Sequence, residues 1–163
     1  MLARGWRTVL LILSWLPLAA GAAAPRLAPA QDLAADADAM RARGTVMLVL
    51  YSRHGCPWCE RARKEVLLPL QSAPESEKRV VLREIAIDED APLTDFAGRC
   101  TTHRRFAAGE GARLTPTLIL YGPDGRRLAE PLVGYLTADF YAEYVNRTIE
   151  EGLARLQAPS RRD

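Results

Sequence analysis

Two cysteines three positions apart, Cys56 and Cys59, open a segment with helical character. The apolar run before them, residues 45–52, is predicted to be a buried strand, and Gly55 permits a tight turn after it. Pro57 suits the first helical position, which needs no backbone N–H. Cys56 therefore lies at a helix N-terminus, where free N–H groups and the helix dipole lower the pKa of its thiol. Cys59 is one turn further on, close enough to form a disulfide.

A zinc site is the alternative use of this Cys-x-x-Cys spacing. Zinc needs two further ligands, and the sequence offers only Cys100, His54 and His103, with no second pair at matching spacing. We therefore favour redox chemistry for the dithiol. Cys100 is expected to be a small buried residue, and the alternatives are a partner for another chain or an extra redox thiol. His103 is expected to lie on the surface of a short helix.

The segments on either side of the dithiol predict a parallel β-α-β unit. The first helix is predicted to be capped by Asp32, to run to Arg43 and to end at Gly44. The helix that begins near Cys56 is expected to stop or kink at Pro69, and residues 80–87 form the next apolar strand. Two strands joined through a helix pair in parallel, with a right-handed crossover.

The second half of the chain predicts an antiparallel hairpin between two further helices. A short helix is expected over residues 102–108. Residues 117–121 form a third strand, and residues 126–133 return beside it after a Gly-Pro-Asp-Gly turn. Pro131 places this fourth strand at the edge of the sheet. The final helix starts near Thr137, and its predicted core-facing stripe consists of Tyr141, Tyr144, Val145, Thr148 and Leu156.

The N-terminus has the features of an export signal. Arg4 and Arg7 precede an apolar stretch and a run of small residues, with cleavage expected after Ala22. An uncleaved membrane anchor is the alternative. The expected organisation is a signal peptide, a flexible tether, a single domain and a polar tail: 1–22, 23–30, 31–158 and 159–163.

The charge balance excludes some classes of partner. Without the two arginines of the signal, 20 basic residues stand against 20 acidic ones. A near-neutral domain gives no indication of nucleic acid or of an anionic membrane as partner. The export signal places the thiols in an oxidising compartment.

Three separated features resemble the thioredoxin fold: Cys56-Pro57-Trp58-Cys59, Thr115-Pro116-Thr117, and the hairpin turn at 122–125 with Gly134 after it. The resemblance implies an α/β fold with a central mixed four-stranded sheet flanked by helices. The closer resemblance is to exported, periplasmic thioredoxin-like proteins, among them the thioredoxins of bacterial sulfur-oxidation gene clusters. In this family the proline before the third strand is cis and faces the dithiol. Pro116 takes that place here, and an ordinary trans proline is the alternative.

The resemblance implies a thiol–disulfide oxidoreductase that exchanges disulfides with exported proteins through Cys56 and Cys59. The residues expected to contact the substrate are Pro57, Trp58, Thr115 and Pro116. A threonine before the proline resembles reductases and isomerases more than strong oxidases. The expected activity is that of a reductase, recharged by a membrane electron donor of the thiol:disulfide interchange kind. The protein is expected to be a monomer whose redox group is the disulfide itself, with no organic cofactor or metal. A redox-inert periplasmic adaptor and a metal-handling module are the alternatives.

Two positions depart from cytosolic thioredoxin. Leu50 stands where that family has a buried aspartate, and Glu84 stands where it has the partner lysine. A half-buried Glu84 would hold its proton more firmly than an exposed glutamate, and we hypothesise that it passes this proton to or from Cys59. The alternative is a solvent-facing Glu84 paired with Arg83 or Arg79.

Overall fold

A mixed sheet of four strands, in the order β2-β1-β5-β6, forms the centre of the fold. The structure is a computed structural model that describes residues 26–158. β1 (Val46–Ser52) pairs in parallel with β2 (Val80–Ala86) and antiparallel with β5 (Thr117–Tyr121), which pairs antiparallel with β6 (Leu132–Val133). The predicted four-stranded sheet and its parallel β-α-β unit are confirmed.

Helices cover both faces of this sheet, which is why β1 is apolar and buried along most of its length. α1 (Leu33–Arg43) and α4 (His103–Gly109) pack on one face, and the helix with the dithiol and α5 (Ala138–Gln157) pack on the other. α1 has the predicted ends. The carboxylate of Asp32 accepts a backbone N–H at 2.9 Å, and Gly44 closes the helix with a φ of 67°.

The helix that carries the two cysteines, called the dithiol helix below, has three consecutive segments. They are α2 (Pro57–Arg61), a π-helical turn (Ala62–Leu67) and α3 (Leu68–Ser72). Of the two outcomes predicted at Pro69, a stop or a kink, the stop is wrong, because the chain stays helical to Ser72. Proline lacks an N–H, and its ring needs space near the carbonyl one turn back. The wider π turn just before Pro69 supplies that space, so the proline sits in the first turn of α3.

A second, two-stranded sheet lies between β2 and α4, and the sequence analysis did not predict it. β3 (Pro92–Thr94) pairs antiparallel with β4 (Cys100–Thr102). The Asp95 carboxylate closes the turn between them by accepting two backbone N–H groups at 2.9 Å each. α4 follows directly, one residue later at each end than the predicted 102–108, and Thr102 is its N-cap, with the hydroxyl accepting the N–H of Arg105 at 3.3 Å.

The predicted fourth strand, residues 126–133, is wrong over most of its length. Arg127 forms an isolated bridge to Tyr121, and Leu128 donates its N–H to Leu120 O at 2.9 Å. Of this segment, however, only Leu132–Val133 forms a strand beside β5. Pro131 has no N–H for the ladder, so regular pairing is interrupted just before β6. The predicted edge position is confirmed, since β6 is the last strand of the sheet.

The predicted flexible tether, residues 23–30, is wrong for its described part. Glu84 in β2 donates its backbone N–H to Ala28 O at 3.0 Å and accepts the N–H of Ala30 at 2.9 Å. Leu27 and Ala30 are buried in the two halves of the core. Backbone pairing and apolar burial therefore hold this segment along the free edge of β2.

Cys100 and His103, which the zinc alternative considered as ligands, lie in environments opposite to those predicted. Cys100 is an exposed free thiol on β4, because that small sheet lies on the surface of the domain. His103 is buried. Its Nδ1 accepts the backbone N–H of Ala86 at 3.1 Å, so its Nε2 carries the proton and donates to Ala30 O at 2.7 Å. His103 thus joins the N-terminal segment to the end of β2.

The predicted stripe of α5 is correct at Tyr141 and Val145, which are buried, and at Leu156, which is half-buried against the core. Thr148 is half-buried, and the prediction is wrong at Tyr144, which is exposed. Ile149 and Gly152 complete the buried face instead. The true stripe follows a spacing of four, four and three residues, which is the ordinary helical period.

The predicted signal peptide (1–22) and polar tail (159–163) lie outside the described residues. Within residues 26–158, none of the helices combines the length and the apolar character that crossing a membrane requires.

Candidate active site

Cys56 is the N-cap of the dithiol helix. Gly55 turns the chain with a φ of 64°, and Pro57 occupies the first turn. The Cys56 Sγ accepts a hydrogen bond from the backbone N–H of Cys59 at 3.1 Å. An N-terminal N–H group and the positive end of the helix dipole are thus directed at this sulfur, which favours its thiolate in the reduced protein.

Cys56 and Cys59 form a disulfide, with their Cα atoms 5.3 Å apart. The two residues differ in access to solvent, since Cys56 is 6% exposed and Cys59 is 1% exposed. An external thiol or disulfide therefore reaches Cys56 first. This asymmetry assigns the attacking sulfur to Cys56 and the internal, resolving sulfur to Cys59.

Thr115 and Pro116 lie against the dithiol, although they are distant in sequence. The Thr115–Pro116 peptide bond is cis. The Thr115 hydroxyl donates to Cys56 Sγ at 3.6 Å, and Pro116 O accepts the N–H of Gly134 at 2.8 Å. Thr115-Pro116 and Gly134 are therefore joined to the N-terminal end of the dithiol helix, whereas the turn at 122–125 lies at the opposite end of β5.

A buried pair of tyrosines anchors the segment that leads to Thr115. The hydroxyls of Tyr51 and Tyr121 lie 2.6 Å apart, and Tyr121 donates to the Glu110 carboxylate at 2.8 Å. Arg127 closes the cluster with an ion pair to Glu110 at 2.9 Å. Burial is the main reason why the pKa of both tyrosines lies well above the ordinary value, so both hydroxyls stay protonated donors.

Trp58 is 51% exposed beside the dithiol. Its ring stacks on Tyr135 with centroids 6.3 Å apart and an angle of 25° between the planes. The Arg61 guanidinium lies 5.5 Å from the Trp58 ring and 5.0 Å from the Tyr135 ring. A cation over two aromatic faces is an attractive arrangement, so the tryptophan is a supported surface rather than a freely solvated side chain.

Glu65 contacts two members of this aromatic cluster, Arg61 and Tyr135. It forms an ion pair with Arg61 at 2.9 Å and accepts the hydroxyl proton of Tyr135. The hydrogen bond from Arg61, followed by that from Tyr135, lowers the pKa of Glu65. Burial, followed by the hydrogen bond to Glu65, raises the pKa of Tyr135 to about 12. Glu65 is therefore the charged acceptor and Tyr135 the neutral donor at neutral pH.

Glu84 lies beside Leu50 on the parallel pair β1–β2, under the dithiol helix. Its carboxylate accepts hydrogen bonds from Ser52 at 2.5 Å and from Arg63, at 2.5 Å and 3.1 Å. The side chains of Arg63 and Glu84 are 15% and 19% exposed. Burial opposes the charge on Arg63, but the hydrogen bonds and charges of Glu84 and Glu60 together outweigh it and raise the pKa of Arg63.

The alternative environment for Glu84, a surface pair with Arg83 or Arg79, is wrong. Arg83 pairs with Asp36 at 2.5 Å, and Arg79 pairs with Glu150 at 3.4 Å. The expected half-burial of Glu84 is present. Its ion-pair partner is one that the sequence analysis did not name.

Sequence reasoning missed four residues of this site. Arg61 and Glu65 carried a usable signal, because opposite charges four positions apart on a helix interact. Arg63 and Tyr135 carried none. The π turn decides how residues 62–67 are directed, and Tyr135 reaches the tryptophan through the loop after Gly134. Among residues 26–158, no three His, Cys, Asp or Glu side chains are grouped as a metal site would require.

Comparison with known protein families settles the type of domain. The model of a thioredoxin-like domain matches residues 33–149, which is most of the chain. The chain belongs to this thioredoxin-like family. No curated protein matches its sequence.

Three solved structures show how far the thioredoxin fold extends over the chain. The DsbH oxidoreductase is 12% identical with a TM-score of 0.55, and the match covers 88% of this chain and 95% of that one. A thioredoxin from Nicotiana alata is 12% identical with a TM-score of 0.52, covering 78% and 98%. The oxidised C-terminal domain of DsbD from Neisseria meningitidis is 18% identical with a TM-score of 0.50, covering 74% and 99%. At these identities the likeness concerns the fold alone.

The thioredoxin fold inferred from the sequence is therefore confirmed. A thioredoxin-like domain with a disulfide-forming Cys56–Cys59 pair at its helix N-terminus is a thiol–disulfide oxidoreductase. Its direction, substrates and compartment are questions of proposed function.

Proposed function

We propose that the protein is a periplasmic thiol–disulfide reductase that acts on disulfides of exported proteins. One observation carries the proposal. Cys56 Sγ is the more accessible sulfur and accepts two hydrogen bonds, from Cys59 N–H at 3.1 Å and from the Thr115 hydroxyl at 3.6 Å. Donors of this kind stabilise a thiolate, which is the attacking species in disulfide exchange.

The reaction begins with the reduced dithiol. The Cys56 thiolate attacks one sulfur of the substrate disulfide, forms a mixed disulfide and releases the other substrate sulfur as a thiolate, which takes up a proton. Cys59 then loses its proton and attacks Cys56 Sγ. The second substrate thiolate leaves, and Cys56–Cys59 becomes a disulfide. Two electrons have passed from the protein dithiol to the substrate disulfide.

Pro57, Trp58, Thr115 and Pro116 are the proposed contacts of the substrate. The Thr115 hydroxyl contacts Cys56 Sγ, and Pro116 follows it through the cis bond. Trp58 is exposed two positions after Cys56. An extended substrate segment laid along Thr115 could pair with its backbone, as strands do at a sheet edge. These residues would hold the substrate sulfur in line with Cys56.

Glu84 is the proposed proton carrier for Cys59. The residue is half-buried under the dithiol helix, and it lines a cleft of about 680 Å³ with His54 and Arg63. Such a cleft gives the carboxylate a route to water. The ion pair with Arg63 competes for the same oxygens, so proton transfer requires Glu84 to loosen one of these contacts.

The protein must regain two electrons after each turnover. We propose that a membrane electron donor of the thiol:disulfide interchange kind reduces the Cys56–Cys59 disulfide. We also propose that the N-terminal signal exports the protein and that it acts as a monomer. The proposal includes the resemblance to the thioredoxins of sulfur-oxidation gene clusters.

Turnover in an insulin-reduction assay with dithiothreitol tests the redox role. The wild type is expected to accelerate reduction, and Cys56→Ser is expected to abolish the acceleration. Cys100→Ser is the matched control, because Cys100 is an exposed thiol on β4, outside the site. Equal rates for wild type and Cys56→Ser would instead favour a redox-inert adaptor.

Two further measurements address direction and substrate. A reductase is held reduced in the cell and has a reduction potential in the lower part of the range for this fold. Trapping the thiols in intact cells shows which form is present. Cys59→Ser cannot resolve the mixed disulfide, so the substrates that remain attached to Cys56 can be isolated and identified.

A further inference from the structure

We infer that Tyr135 is a positioning residue. It holds Trp58 and the Gly134–Leu136 segment against the dithiol helix and thereby fixes both sides of the proposed substrate groove. The inference rests on the proposed function. It adds a residue that touches neither sulfur and that acts through Trp58 on one side and Pro116 on the other.

The ring of Tyr135 lies between an anchored and an exposed aromatic side chain. Tyr141 is fully buried in α5, and its ring centroid is 4.7 Å from that of Tyr135. On the other side the Trp58 ring is 6.3 Å away and nearly parallel. Aromatic pairs at such distances attract each other. Tyr135 therefore connects the half-exposed tryptophan to the rigid core.

Arg61 and Glu65 fix the orientation of this stack. The Arg61 guanidinium contacts the faces of both Trp58 and Tyr135, and it also pairs with Glu65. The Tyr135 hydroxyl donates to the same carboxylate. The raised pKa of Tyr135 keeps this hydroxyl a donor throughout the neutral range. Trp58, Arg61, Glu65 and Tyr135 thus form a closed ring of contacts. Removing Tyr135 breaks the ring at its contacts with Trp58 and Glu65.

The residue before Tyr135 contacts the cis-proline. Gly134 donates its N–H to Pro116 O at 2.8 Å. The chain direction at Tyr135 therefore influences the backbone that holds Pro116, while its ring holds Trp58. Pro116 follows Thr115, which contacts Cys56 Sγ, and Trp58 lies in the first turn of the helix that Cys56 caps. The substrate strand is proposed to lie along both.

This arrangement predicts an effect on docking more than on chemistry. Without Tyr135, the groove would have to be ordered by each incoming substrate, and that ordering reduces affinity. The hydrogen bonds of Cys56 Sγ to Cys59 and Thr115 do not involve Tyr135. KM should therefore rise while kcat changes little, a pattern that a general loss of folded protein does not produce.

The test uses the full chain with Trp6→Phe and Trp15→Phe, which leaves Trp58 as its one tryptophan. In this background Tyr135→Ala is expected to shift the Trp58 emission to longer wavelength and to increase its quenching by acrylamide. KM for insulin is expected to rise about two- to tenfold, the range that corresponds to loss of one aromatic pair. Tyr135→Phe keeps the ring and should give a smaller rise with nearly wild-type emission.

Tyr144→Ala is the matched control, since Tyr144 is an exposed tyrosine on α5 outside the aromatic cluster. It should leave emission, quenching and KM at the wild-type values. Wild-type emission and KM in Tyr135→Ala would overturn the inference, as would equal changes in Tyr144→Ala. If Tyr135→Ala does not fold, Tyr135→Leu retains bulk without the stack, and the same readouts decide.

Different results refute the proposed function and the positioning role of Tyr135. A wild type that does not reduce insulin refutes the proposed function, whereas the fluorescence of Trp58 still reports whether Tyr135 holds it. An active wild type whose KM and emission do not respond to Tyr135 refutes only the positioning role.

Discussion

The Thr115 hydroxyl donates a hydrogen bond to Cys56 Sγ at 3.6 Å, between two residues that are 59 positions apart in the chain. The bond joins the cis-proline segment to the attacking sulfur directly. A thiolate gains more from such a donor than a neutral thiol does. Thr115 is therefore placed to promote the reaction as well as to line the groove.

Replacing Thr115 by Val should raise the pKa of the Cys56 thiol and slow its attack. Loss of one donor to a charged sulfur is expected to reduce the rate at neutral pH about two- to tenfold. Thr115→Ser keeps the hydroxyl and should restore most of the rate. The measurement is thiolate absorbance against pH, combined with stopped-flow attack on a model disulfide, in a Cys100→Ser background that removes the other exposed thiol. An unchanged pKa in Thr115→Val would exclude this role, and a wild-type pKa no lower than that of a free thiol would contradict helix activation itself.

Glu84→Gln should slow resolution of the mixed disulfide, because glutamine cannot exchange a proton with Cys59. The expected decrease is at least about tenfold at neutral pH. Glu89→Gln is the control, since Glu89 is exposed after the end of the same strand. Thermal melts of both variants separate this effect from loss of the Arg63 ion pair. Unchanged kinetics from pH 6 to 8 would refute the proton-transfer role.

Asp95 should make the stability of the domain depend on acid pH. Burial opposes its charge, but hydrogen bonds from the backbone and side chain of Arg99 and from Ala97 outweigh this and lower its pKa below the ordinary 3.8. A carboxylate with a lowered folded-state pKa stabilises the fold above the unfolded-state value, and this stabilisation is lost as the pH falls through the folded-state value. The difference in unfolding free energy between wild type and Asp95→Asn should therefore shrink from pH 6 towards pH 2. Urea titrations measure it, and a constant difference would contradict the prediction.

Gly152 is buried where α5 approaches the sheet, and a Cβ there would collide with the Leu120 side chain. Gly152→Ala is expected to lower the unfolding free energy by about 1–3 kcal/mol, the usual cost of overpacking a core. Gly109→Ala is the control, because a Cβ at Gly109 meets no atom within 4 Å. It should be neutral or stabilising by up to about 1 kcal/mol. Equal urea midpoints for the two variants would show that Leu120 moves aside freely.

Local signals were sufficient to predict the central fold. The apolar runs of β1 and β2, the caps at Asp32 and Gly44, and the Gly-Pro-Asp-Gly turn each have a short-range cause, and each was confirmed. The dithiol was predicted for the same reason, since helix N-terminal chemistry is set by neighbouring residues.

The failures have long-range causes. His103 is buried because Ala30 and Ala86 come together around it, and no pattern near His103 indicates that. Arg63 meets Glu84 only after the π turn has shifted its direction. Tyr135 contacts Trp58 from a loop that is distant from it in the sequence. Contacts of this kind depend on the finished tertiary structure, which propensity and periodicity do not contain.

The N-terminal pairing with β2 has a practical consequence. A bare outer strand invites the same strand of another molecule, and proteins commonly shield such strands. Ala28 and Ala30 occupy the backbone groups of Glu84 that would otherwise be free for a second copy. Shortened proteins that begin after Ala30 should therefore self-associate and lose solubility, while those that begin at or before Leu27 should not.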